Sequence, residues 1–171
     1  CFCIIDIEKR QQTNDGRRHD KRMAGTKQWR AADGRLQPGF QTAGFTLKQV
    51  GKLQALGAQT LYFEHEKSGA SLFYIRNKDT NRGFSISYRT PHLDETDTNH
   101  VFEHSVLASS DKYPSKDIFF DLCSKTYHTF VNAFTYIPFT AYPVCSQSEE
   151  QLLKMADVYL SCMKAPGTPL F

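Results

Sequence analysis

His100-Val101-Phe102-Glu103-His104 is the stretch that most limits what this chain can become. On a helix of 3.6 residues per turn, positions i, i+3 and i+4 share one face. Two imidazoles and one carboxylate then project into the same space. Neutral His nitrogens four residues apart can hold one zinc ion at about 2.0–2.1 Å. A carboxylate beside them is placed to take a proton from an activated water. The H-x-x-E-H order is the inverted form of the motif found in zinc-dependent peptidases. The same five residues also suit an ordinary surface helix with two solvated imidazoles, so the flanking sequence has to decide between them.

Composition narrows the class. A chain of 171 residues with 40% hydrophobic and 13% aromatic side chains can bury a real core. A net charge of +3 is too small to argue for a nucleic-acid or membrane partner. No apolar run approaches the roughly 18 residues that a spanning helix needs. Cys1, Cys3, Cys123, Cys145 and Cys162 lack paired C-x-x-C spacing and read as reduced thiols of an intracellular chain. Cytoplasm and mitochondrial matrix fit that reading equally. The start at Cys1 and the close at Leu170-Phe171 read as a piece of a longer product, with Met23 as an alternative start.

Residues 1–40 differ from the rest. From Glu8 to Arg35 they are rich in Arg, Lys, Gln, Asp and Gly and poor in apolar side chains. The prediction is a flexible basic tail or leader outside the core. Asp15, Asp20 and Asp33 argue against a transit peptide, which is poor in acidic residues. The basic pairs Arg17-Arg18 and Lys21-Arg22 have no interleaved aromatics to suggest a nucleic-acid arm.

Residues 41–171 read as one folded region. Gln59–His65, Ser71–Arg76 and the strictly alternating Phe84–Arg89 predict a three-stranded antiparallel meander, with Gly69 in the first turn. Asp94-Glu95-Thr96-Asp97-Thr98 offers caps and negative charge to the start of the motif helix. Val101, Phe102, Val106 and Leu107 are expected to pack it in place. Pro114 separates it from a second helix carrying Ile118, Phe119, Leu122 and Cys123. Thr129–Tyr136 and Thr140–Val144 predict two more strands, with Pro143 favouring an edge or a strand end. Ser146-Gln147-Ser148-Glu149 reads as a capping box. The helix after it carries Leu152, Met155, Ala156, Tyr159, Leu160 and Met163 at core spacing, and Ala165-Pro166-Gly167 stops it.

Several blocks in order now point one way. Glu64-His65-Glu66-Lys67-Ser68-Gly69-Ala70, Phe84 to Pro91, His100 to Leu107, Lys112 to Asp117, Thr129 to Tyr136, Tyr142-Pro143-Val144 and Asp157-Val158-Tyr159-Leu160 resemble the N-terminal catalytic region of the pitrilysin/insulysin zinc peptidases. The chain is most similar to their presequence protease branch. The resemblance runs from about Gly44 to Pro166 and covers none of residues 1–40.

It implies an α+β fold, an antiparallel sheet packed with helices, as the incomplete N-terminal part of a chambered enzyme of four related domains. It implies His100 and His104 as zinc ligands and Glu103 as the residue that activates water. A third ligand, a Glu, is expected beyond Phe171, and Glu149 and Glu150 fall too early to serve. Asn132 and Ala133 are implied to pair with the substrate backbone by strand addition. The implied partners are unfolded peptides and the remaining domains of a longer polypeptide, without nucleic acid or membrane. The alternative is a non-catalytic homologue that binds a peptide or a partner chain. Two departures touch local loops. Thr126-Tyr127-His128 stand where the family usually has small residues, and Ile137-Pro138-Phe139-Thr140 replace its usual Pro-Asp-Lys-Thr.

Overall fold

The computed structural model describes residues 2–5 (as backbone), 36–91 and 96–164. Their order is β1 (Phe2–Ile5), β2 (Gln41–Thr42), β3 (Phe45–Leu53), a short 3-10 turn at Gln54–Leu56, β4 (Ala58–His65), β5 (Ser71–Arg76) and β6 (Arg82–Arg89). Then come helices α1 (Thr98–Val106) and α2 (Ile118–Lys125), strands β7 (Phe130–Val131), β8 (Phe134–Thr135) and β9 (Phe139–Ser146), and helix α3 (Glu149–Lys164). The strands form one sheet in the order β2-β3-β4-β5-β1-β6-β9-β7, with β8 also pairing β9. All neighbouring pairs are antiparallel except β1 with β5. The class is α+β, as the sequence implies.

Two expectations about the sheet need correction. β5 and β6 do not pair as consecutive strands of a meander. Residues 2–5 lie between them, parallel to β5 and antiparallel to β6. Four residues cannot show the alternation on which a strand assignment rests, and the polar run behind them masks them further. The first 40 residues therefore do not lie wholly outside the fold, and Leu36 and Phe40 pack against the Leu47/Leu61/Phe63/Tyr74 cluster. The basic stretch 6–35 lies outside the described residues, as do Asp94, Glu95 and the Ala165-Pro166-Gly167 stop.

The second correction concerns Pro143. It sits inside β9, opposite Ser85 of β6, and not on an edge. Its carbonyl accepts from the Asn132 amide at 3.2 Å, so the side of β9 on which it lacks an N–H is the side facing residues 130–136. The single strand predicted there divides at that point into β7 and β8, with Asn132 and Ala133 between them. A proline unable to donate to the ladder accounts for the break.

α3 lies across β6 and β9. Leu152, Met155, Ala156, Tyr159 and Cys162 point from it into a core shared with Phe84, Ile86, Tyr142, Val144, Val106, Leu107, Ile118 and Leu122. The predicted stripe holds for its first four members, whereas Leu160 is exposed. The capping residue also differs. Ser146 donates to the Tyr127 carbonyl, while the Ser148 hydroxyl accepts from the Gln151 amide at 3.4 Å. The helix begins after Ser148, so the capping pair is Ser148/Gln151 and not Ser146/Glu149. α2 is capped by Asp117, whose side chain accepts from the Phe120 amide at 2.8 Å.

Candidate active site

The H-x-x-E-H stretch is helical throughout, in α1. The helix is short and takes its stability from packing more than from propensity. Glu103 and Val106 are its buried residues, and Leu107 follows them into the core. Val101 and Phe102 do not help to hold it, contrary to expectation. They are 66% and 62% exposed, because the inward face of α1 runs through Asn99, Glu103 and Val106 and they lie off it.

His100 and His104 stand on the exposed side of α1. Their rings lie 4.9 Å apart, and the two Nε2 atoms are 3.2 Å apart. A tetrahedral ion holding two nitrogens at about 2.0–2.1 Å separates them by roughly 3.3–3.4 Å. The pair thus fits two positions of a zinc site. Among the described residues no group of three or more His, Cys, Asp or Glu side chains could hold a metal ion. Glu149 and Glu150 lie at the start of α3, and Glu150 pairs with Lys154.

The other ring nitrogen of His100 meets a carboxylate. Asp97 Oδ2 lies 3.0 Å from Nδ1. This hydrogen bond, aided by the charges of Asp97 and Glu103, holds the His100 imidazole above its ordinary value against a smaller opposing effect of burial. The sequence marks Asp97 only as a capping candidate, and its side chain makes no capping bond.

Glu103 is turned inward, 6% exposed, and accepts a short hydrogen bond from the Thr135 hydroxyl of β8. Its negative charge is felt by Tyr142, whose hydroxyl is pushed up to about 12, first by burial and then by Glu103. Thr135 is a residue that sequence reading misses as a partner of Glu103. The two are 32 positions apart, and no spacing rule connects a helix face to a strand across that distance.

Asn132 and Ala133 lie between β7 and β8, just before Thr135 in the chain. Tyr159 of α3 donates to the Asn132 carbonyl at 3.1 Å, and the Asn132 side chain accepts from the Ala133 amide at 2.9 Å. β7 and β8 pair only with β9, so their outer edge is unpaired among the described residues. Phe130 of β7, Phe134 of β8, Tyr136 and Phe139 of β9 make successive ring contacts, with centroids 5.3–6.1 Å apart. A separate hollow of about 530 Å³, lined by Arg82, Tyr127 and Gln147 to Glu150, shares no residue with the His100 face. His65 is tied to Ser68 at 2.8 Å and stacked near Phe45, far from a ligand role.

No family profile matches the chain. Individual proteins do. It is 40% identical over 125 residues to "Protein HypA" of Clostridium perfringens, covering 73% of this chain. It is 35% identical over 132 residues to the mitochondrial presequence protease of Xenopus laevis, covering 77%. It is 40% identical over 109 residues to presequence protease 1, chloroplastic/mitochondrial, of Arabidopsis thaliana, covering 64%. These matches show a pitrilysin-family, presequence protease-like relationship over about three quarters of this chain. The presequence protease-like chain spans only 10–13% of the length of these relatives. No helix among its described residues is long and apolar enough to cross a membrane.

Proposed function

We propose that this chain carries the catalytic helix of a zinc-dependent endopeptidase that cleaves unfolded peptides, presequences among them. The observation that carries the reading is the pair of Nε2 atoms 3.2 Å apart on one helix, one position from a carboxylate held by Thr135. His100 and His104 would be two zinc ligands, and a third would come from elsewhere in a longer polypeptide. Zinc, when bound, supplies Lewis-acid polarisation of the scissile carbonyl and makes water more acidic. Glu103 then accepts the proton from water and returns it to the leaving amine. Thr135 holds the carboxylate in place for both transfers. The open edge at β7–β8, with Asn132 and Ala133, would take the peptide backbone as an added strand, which gives affinity with little sequence preference. The names of the presequence proteases place those relatives in mitochondria and chloroplasts, and a mitochondrial matrix or cytoplasmic site for this chain belongs to the same proposal.

A second reading is a non-catalytic chain that binds peptide or partner along the same edge. It is favoured by one observation, the lack of a three-ligand group among the described residues. One experiment separates the two. In the polypeptide that supplies the third ligand, Glu103→Gln keeps the shape of the side chain but cannot take the proton. It is expected to abolish chelator-sensitive cleavage of an unstructured fluorogenic peptide while zinc content is unchanged. Near wild-type turnover in the variant would remove Glu103 as the base. Absence of cleavage in the unmutated polypeptide would favour the binding reading.

A further inference from the structure

We propose that Asp97 is the positioning residue of the metal site: it fixes which nitrogen of His100 is free to bind. The inference rests on the reading of His100 as a ligand and goes beyond it by naming what orients the ring.

The chemistry follows from donor and acceptor counts. A carboxylate accepts hydrogen bonds and donates none, and a neutral imidazole has one N–H and one lone pair. Asp97 Oδ2, 3.0 Å from Nδ1, therefore puts the His100 proton on Nδ1 and leaves the Nε2 lone pair free. That lone pair is the atom 3.2 Å from His104 Nε2. Among the described residues His104 Nδ1 has no comparable hydrogen-bond partner. In the metal-free chain His104 accordingly donates to His100 from Nε2, and to bind an ion there it would carry its proton on Nδ1 instead, staying neutral by exchange through solvent. His100 needs no such rearrangement.

The place of Asp97 supports this role over a capping one. It stands at the N-cap position of α1, and its carbonyl accepts from the amides of His100 and Val101, both at 3.1 Å. An Asp at that position commonly turns its side chain onto an amide of the first turn. Here the side chain makes no such bond and reaches the His100 ring instead. With Asp97 67% exposed, solvent screens its charge, so the effect is the directional bond and not a long-range field. Carboxylate partners of this kind around metal-bound His typically matter about 10–100-fold in metal affinity.

The test uses two variants, with the tautomer read in the 171-residue chain and zinc affinity read in the polypeptide that supplies the third ligand. Asp97→Ser removes the carboxylate but keeps a good N-cap, so the helix start survives. Asp97→Asn keeps an acceptor oxygen of the same reach. Long-range proton–nitrogen NMR of the neutral His100 ring in metal-free protein is expected to show Nδ1–H in the wild type. The same tautomer is expected in Asp97→Asn, with a shift toward Nε2–H in Asp97→Ser. Competition with a chromophoric chelator should show zinc affinity about 10–100-fold lower for Asp97→Ser, with Asp97→Asn closer to wild type. Wild-type His100 in the Nε2–H form, or an unchanged tautomer in Asp97→Ser, would overturn the proposal, as would equal zinc affinity of wild type and Asp97→Ser. If the wild-type polypeptide that carries the third ligand binds no zinc at all, the ligand reading fails by itself, and the tautomer still decides whether Asp97 orients the ring.

Discussion

Glu103 is buried between two neighbours in sequence, Phe102 and His104, that face solvent. A carboxylate in that position needs a donor, and Thr135 supplies it. Replacing Thr135 by Val keeps the shape of the side chain and removes the hydroxyl. The expected loss of stability is about 1–3 kcal/mol, the usual range when a buried acceptor loses its partner. The urea midpoint of the variant measures it, and Thr135→Ser should recover most of the loss. An unchanged midpoint would mean that Glu103 finds water or another donor. Much at this scale was legible in the sequence: the helix over residues 100–104 and its two aligned imidazoles. The direction of the Asp97 side chain and the Thr135 contact were not. Each depends on a rotamer choice or a tertiary approach that no local pattern encodes.

At the scale of elements, α3 is the clearest success of periodicity, because a long amphipathic stripe can be satisfied in only one orientation. Met155 and Tyr159 are fully buried from it, and they test two different contributions. Met155→Ala leaves a cavity and should cost about 2–5 kcal/mol. Tyr159→Phe removes only the hydroxyl that donates to the Asn132 carbonyl, and should cost about 0.5–1.5 kcal/mol. Chemical denaturation of both variants checks the order, and a larger loss for Tyr159→Phe would show that the β7–β8 junction depends on that one bond. The strands were read less well. β4, β5 and β6 carry enough alternation to be seen, but their neighbours in the sheet are fixed by long-range pairing. The insertion of residues 2–5 between β5 and β6 left no trace in a four-residue pattern.

The whole molecule is held together partly by charge, and this sets a pH dependence. Lys112 and Tyr113, in the connection between α1 and α2, both reach Asp157 of α3, at 2.5 and 2.6 Å. Lys112, and next Tyr113, hold the Asp157 carboxyl below its ordinary value of 3.8. The folded chain thus binds this proton less readily than the unfolded chain. The resulting stabilisation is fully present above the unfolded value and is lost as pH falls through the lowered folded one. At the alkaline end the sign reverses. Lys112 is raised above 10.5 by Asp157, so its share is lost as pH climbs through that raised value. Half-exposure of both partners keeps the effect modest. Melting temperature against pH should show a shallower acid limb in Asp157→Asn than in the wild type, and identical limbs would rule out this linkage.

The bond between Thr135 and Glu103 has a further consequence for timing. The strand that carries Thr135 is one whose outer edge is open among the described residues, so under the proposed function docking and proton transfer would share a mechanical part. A peptide added along that edge would stiffen β8 and, through Thr135, the carboxylate on α1. Glu103 would reach its working position most fully only when the edge is occupied along its length. Short peptides that reach the His100/His104 face but leave the edge bare should then, under the proposed function, turn over slowly even at saturation, because contacts remote from the scissile bond contribute to rate as well as to binding. The helix and the edge strand would together act as a gauge of peptide length.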